Sequence, residues 1–270
     1  MNSHYISRFL TKPWEHESRM LSVLDLDAKR LLPPKSSKSL FALDGLFSDA
    51  AERWFDRTFE SPVSDWQAKA LRGEKPQMSW RLYRAMVMAV LWAAPRVIAA
   101  ERVEERDAVR AALAKPFDDA ALDQIVSLFE RDHALVSVPT SPAMPLFFPE
   151  TAIFALLMPN QTAPTKLGYG LFLALAPTLA LGFVTQGSAD ELRDGVKPGT
   201  LQNASAGHPA HCRRVVSPPS AIGLGVDALL DAVVSAQRAT RTGFAEHERL
   251  MLLVNDAHRM AGLPPPHRPR

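Results

Sequence analysis

Proton transfer beside an anion calls for a histidine, a carboxylate and an arginine, and the start of this sequence holds two of the three. His4 and Arg8 stand four positions apart with Tyr5 between them. On a strand, side chains alternate between faces, so that spacing sets His4 and Arg8 on one face and Tyr5 on the other. An imidazole exchanges protons near neutral pH, and a guanidinium fork grips a phosphate or carboxylate through two parallel hydrogen bonds. Farther along, Glu52, Glu60, Arg81 and Arg84 fall in what reads as helix. If these groups converge, His4 and Glu52 are the candidate catalytic residues. Tyr5, Arg8, Arg81 and Arg84 are then the candidate substrate-binding residues of a hydrolase or nucleotide-binding enzyme acting on a phosphate-bearing substrate. The plainer alternative is that His4 hydrogen-bonds to backbone while the arginines pair with Glu52, Asp56 or Glu60, because buried charges are paired as a rule.

Other chemistry-bearing residues form no complete set. His208, His211 and Cys212 put three possible zinc ligands within five residues, but no fourth ligand accompanies them, so no metal is expected. Cys212 is the only cysteine, which excludes an intrachain disulfide and reads as a buried thiol beside a strand. His247 and His258 lie three helical turns apart among charged neighbours, as on a solvated face. Gly168-x-Gly170 and Gly223-x-Gly225 lack the third glycine of a dinucleotide-binding turn, and no phosphate-cradling loop or nucleophile elbow is present, so no cofactor is expected. Aromatic residues concentrate between Trp54 and Trp92; most suit a core, while Trp66 and Trp80 near helix ends could face a partner.

The elements that would position these groups follow from apolar periodicity. Residues 4–10 and 20–26 read as an N-terminal strand pair, followed by a proline- and serine-rich connector at 33–39. Leu40, Leu43, Phe47, Ala51, Trp54, Phe55 and Phe59 recur at helical spacing, and Ser61-Pro62 reads as the cap and first turn of a further helix ending at Gly73. The apolar stretch 77–94 predicts a buried central helix, which Pro95 should kink or break. A charged helical segment at 101–110 precedes another helix whose inward stripe is Leu122, Ile125, Val126 and Phe129. From 134 onward short apolar runs cut by proline predict strands, with 190–211 as a surface loop holding a short helix at most and 213–217 as the last strand. Helical periodicity returns over 226–260. The fold expected is α+β: an N-terminal strand pair, a helical middle over about 40–131, a strand region over about 134–217 joining the same sheet, and a C-terminal helix. One domain should cover 1–263, with 264–270 as a tail that does not pack.

A formal net charge of +2, from 31 basic and 29 acidic residues, gives no field that would steer the chain to nucleic acid or an anionic membrane. Leu167 to Val184 carries no charge, yet Gly168, Gly170, Pro177 and Gly182 interrupt it, so two buried strands joined at a turn are expected and not a membrane span. The N-terminal residues lack the apolar core of a secretory signal, and the expected location is cytoplasmic.

His4-Tyr5-Ile6-Ser7-Arg8-Phe9-Leu10 followed by Ser18 to Asp25 resembles the opening of the bacterial family known as domain of unknown function 4238. Weaker matches follow in the family's order at Glu52, Ser61-Pro62 and Ala94-Pro95-Arg96, and Leu171 to Leu181 resembles its later proline-containing strand pair. Where that family carries Phe-x-Thr-Ser-Asp-x-Pro, this chain has Val136 to Ser141, without the acid. The resemblance implies a helical middle between β segments and no activity. With no complete catalytic set, the reading favoured from sequence is a soluble binding or regulatory module. It would meet a protein or small-molecule partner through the 187–211 segment or the aromatic helix face.

Overall fold

A computed structural model describes residues 2–44, 47–101, 107, 111, 118–158, 168–189, 192, 198–207, 212–221, 223–239 and 259. In chain order the elements are β1 (Asn2–His4), α1 (Arg8–Thr11), β2 (Val23–Asp25), β3 (Arg30–Leu31), β4 (Ala42–Asp44), α2 (Asp49–Phe55), a π-helical turn (Asp56–Glu60), α3 (Ser61–Leu71) and α4 (Trp80–Glu101). There follow α5 (Asp119–Asp132), β5 (His133–Pro139), β6 (Phe148–Pro149), β7 (Ile153–Met158), β8 (Gly168–Ala176), β9 (Leu179–Thr185), α6 (Pro198–Ser205), β10 (Arg214–Val216) and α7 (Val226–Ala239). The α+β class and the helical middle expected from the sequence are both present.

The chain gathers into two compact units, one of Met1–Phe9, Phe41–His133 and Glu248–Arg270 and the other of Leu10–Leu40 and Ala134–His247. The first is helical. Ser48 opens α2 by accepting a hydrogen bond from the Ala51 amide, satisfying one of the donors a helix start leaves over. The helix then does not stop: α2, the π-helical turn and α3 are continuous, and Ser61, expected to cap a new helix, is itself helical with no side-chain cap bond. Its amide bonds five residues back to the Asp56 carbonyl. Pro62 explains this widening, since it has no amide for the Thr58 carbonyl and its ring crowds that turn. α3 ends as expected at Gly73, with φ +80° and the Gly73 and Glu74 amides bonded back to Ala70 and Lys69.

Ser79 opens α4 by accepting from the Leu82 amide, and residues 85–91 of this helix are buried on every side. The break or kink expected at Pro95 is not a break, because the helix runs on to Glu101. α5 is capped by Asp118 and buries Leu122, Ile125, Val126 and Phe129, the stripe read from the sequence. Two expectations are corrected here. Residues 40–44, 47 and 48 are not helical, and 42–44 form β4, paired antiparallel with β1. The N-terminal strand pair is likewise not formed, because β1 pairs with β4 while residues 8–11 turn helical.

Among the described residues of the second unit are two four-stranded sheets, ordered β3-β2-β10-β6 and β5-β9-β8-β7. Thus, among the described residues, β6 and β10 join β2 and β3, while β5, β7, β8 and β9 build a sheet of their own. β8 and β9 are buried along nearly their whole length and joined by Pro177-Thr178, the hairpin read from the uncharged stretch. Gly182 is required there: a Cβ at this position would sit 2.2 Å from the Leu171 carbonyl oxygen and 2.6 Å from Phe172 Cδ1. Thr140 fastens the end of β5 to the hairpin turn, its amide donating to the Thr178 carbonyl and its hydroxyl to that of Pro177. Within 190–211 the described residues 198–205 form the short helix the sequence allowed for, α6, but it is no surface feature: it buries Leu201, Ala204 and Ser205, and the Ser205 hydroxyl accepts from the Phe147 amide. Cys212 is a buried thiol, packed with Leu24, Val215 and Val233 and donating to the Arg214 carbonyl. Among the described residues no helix is long and apolar enough to cross a membrane.

Candidate anion-binding site

Residues three and four apart on a helix share a face, and two such sets meet in the helical unit. Trp54, Arg57 and Thr58 come from the α2 and π-helical segment, Arg81 and Arg84 from the first turns of α4, and Asp119 from the first turn of α5. Together they line a depression of about 260 Å³. The π turn widens the helix where Arg57 and Thr58 contribute, and such turns recur at functional sites. Trp54 and Thr58 are buried and form the floor, whereas Arg57, Arg81 and Asp119 reach solvent.

Three arginines and one carboxylate thus line the depression. Arg84 is neutralised twice, Nη2 donating to Asp119 Oδ1 and Nε to Asp123 Oδ1 at 2.9 Å. Arg57 turns its Nε back to the Arg53 carbonyl at 3.3 Å and, like Arg81, makes no ion pair among the described residues. The sequence reading that the arginines pair with acids therefore holds for Arg84, though with Asp119 and Asp123. Glu60 instead accepts from the Ser7 hydroxyl, and Asp56 from that of Ser61.

Of the residues singled out in the sequence, Arg81 and Arg84 come together. Glu52 lies on α2, half-buried, and Arg8, exposed, opens α1; neither lines the depression. The alternation that would align His4 with Arg8 fails because Arg8 is helical. Tyr5 packs edge-on against Phe41 with ring centres 5.6 Å apart. His4 is placed in β1 opposite Ala42, and its side chain lies outside the described residues, as do His208, His211, His247 and His258. Among the described residues no group of three or more His, Cys, Asp or Glu could hold a metal.

Sequence reasoning missed Arg57, Thr58 and Asp119. The signal was present in the three- and four-residue spacing of Trp54, Arg57 and Thr58, but nothing local announces that Pro62 widens that helix. Trp66 is buried, contrary to a partner-facing role, while Trp80 is exposed and stacked on Tyr83 at 6.3 Å.

Tyr83 stands next to Arg84 in sequence and is buried. Its hydroxyl donates to the His133 carbonyl at 3.2 Å, and burial, then the charges of Glu130 and Asp132, raise the phenol above its ordinary range. His133 is also buried, with Nδ1 against the Phe129 carbonyl at 3.1 Å. Burial lowers its pKa from the usual 6.5, opposed more weakly by that hydrogen bond and by Asp132.

No family model, curated protein or solved structure matches the chain.

Proposed function

We propose that the helical unit is a binding module for a small phosphate-bearing anion, held by Arg57 and Arg81 with Arg84 behind them. The observation that carries this reading is one depression lined by two arginines, neither in an ion pair among the described residues, and by a third that is. Like charges gathered in a depression repel one another, and an anion relieves that repulsion while accepting several N–H bonds. A volume of about 260 Å³ suits a phosphate-sized group; pockets for drug-sized ligands run to roughly 300–1,000 Å³.

The lining supports binding over hydrolysis. Its hydroxyl, Thr58, has no base beside it among the lining residues, and its carboxylate, Asp119, is engaged by Arg84. Kinship with the domain of unknown function 4238 family, suggested by His4 to Leu10, belongs to the same proposal and supplies no chemistry.

Equilibrium dialysis with radiolabelled pyrophosphate at fixed ionic strength tests the reading. Saturable binding to the wild-type protein should weaken at least about tenfold in Arg57→Ala and in Arg81→Ala, since each removes a charge-assisted bond worth about 1.5–3 kcal/mol. No saturable binding, or binding that ignores both substitutions, overturns it.

A further inference from the structure

The depression is not uniformly basic, and its one acidic wall residue is placed in an informative way. Asp119 Oδ1 is taken by Arg84. Its side chain is nevertheless 71% exposed, against 22% for Arg84, so the carboxylate is anchored at one oxygen and open to solvent at the other. A carboxylate only accepts hydrogen bonds. Beside two arginines without ion-pair partners among the described residues, it offers a cationic subsite and an acceptor subsite within one small space.

Resting on the anion-binding reading above, we propose that Asp119 sets the ligand class: a phosphomonoester whose alcohol part carries an ammonium or hydroxyl donor within a few bonds of the phosphate. The phosphate lies on Arg57 and Arg81, and the donor meets the open oxygen of Asp119. A bare polyanion gains the arginines but is repelled by that carboxylate. A phosphomonoester with a donor gains both. Asp119 has a structural role as well, because an acid in the first turn of α5 complements the helix dipole. That role alone predicts no discrimination between ligands of equal phosphate charge.

Phosphoethanolamine and ethyl phosphate differ only by the terminal ammonium group and make the test direct. Their affinities are measured by calorimetric titration with the wild-type protein, Asp119→Asn, Asp119→Glu and Arg81→Ala, with circular dichroism to confirm that each is folded. The wild-type protein should prefer phosphoethanolamine by about three- to fivefold, the ratio given by an exposed ion pair worth up to about 1 kcal/mol. Asp119→Asn should bring the two esters to near-equal affinity, and Asp119→Glu should keep the preference. Equal wild-type affinities that both fall in Arg81→Ala overturn the role of Asp119 and leave the anion site standing, as does a preference that survives Asp119→Asn. If neither ester binds any of the four proteins, the anion site falls and the role of Asp119 falls with it. A misfolded Asp119→Asn leaves Asp119→Glu and the wild-type ratio to decide.

Discussion

The helical unit and the sheet unit spend their polar residues differently. In the sheet unit several buried polar side chains serve structure: Glu150 accepts from the Arg213 amide and pairs with the Arg214 guanidinium, Gln237 donates to the Ala206 and Cys212 carbonyls, and Ser205 accepts from the Phe147 amide. In the helical unit, Arg57 and Arg81 gather in a depression without an ion-pair partner among the described residues. Charge repulsion within a fold costs stability unless a ligand offsets it. Under the proposed reading, packing falls to the sheet unit and recognition to the helical one.

The strongest blow to that contrast would be a sheet unit that tolerates crowding. Gly182→Val should destabilise the protein by about 3 kcal/mol, the upper range for overpacking, because the new Cβ meets backbone at Leu171 and a ring carbon of Phe172. Chemical denaturation checks it, and a loss under about 1 kcal/mol would show that the hairpin is looser than its burial implies. Arg81→Ala should do the reverse, leaving the unfolding midpoint of the ligand-free protein unchanged or slightly raised while weakening pyrophosphate binding at least about tenfold. A large stability loss in Arg81→Ala would make the residue structural and erase the difference between the units.

Smaller effects sharpen the picture within the helical unit. Ser48→Ala removes the acceptor of the Ala51 amide and should cost about 1 kcal/mol, read from denaturant unfolding. Ser61→Ala, at a residue that caps nothing, should cost less than half as much by the same measurement. The mildest effect is in pH. His133 has its folded pKa below the unfolded value, so its contribution is whole above pH 6.5 and is lost as pH falls from there toward the folded pKa. In that window the unfolded chain binds more protons, and stability should decline with acidification. His133→Gln should flatten that part of a stability-against-pH curve, and an unchanged slope would place the titration elsewhere.

Much of the fold was legible because its signals are local. The stripe from Leu122 to Phe129 marks α5 without outside help, and Gly73 marks the end of α3. The β8–β9 hairpin could be told from a membrane span because Pro177 divides an uncharged run into two strand lengths. What escaped depends on partners distant in sequence. The helical period from Leu40 to Phe59 was real only from Asp49 onward, because residues 42–44 were claimed by pairing with β1. Ser61-Pro62 has the residue types of a helix start, and only the preceding helix, already running, makes it a widened turn. The site divides along the same line. Arg81 and Arg84 were visible as a pair at three-residue spacing. Asp119, which sets the charge of the wall, comes from a helix whose docking no local pattern reveals.

The central claim is that anions bind in the helical unit at Arg57, Arg81 and Arg84. Side-chain arginine NMR, following the Nε–Hε resonances while pyrophosphate is titrated at fixed ionic strength, tests it most directly, with Arg213 and Arg214 of the sheet unit as internal references. The account predicts saturable shifts at Arg57, Arg81 and Arg84 with little change at Arg213 and Arg214. Uniform, unsaturable drift across all five, or shifts confined to Arg213 and Arg214, would contradict it.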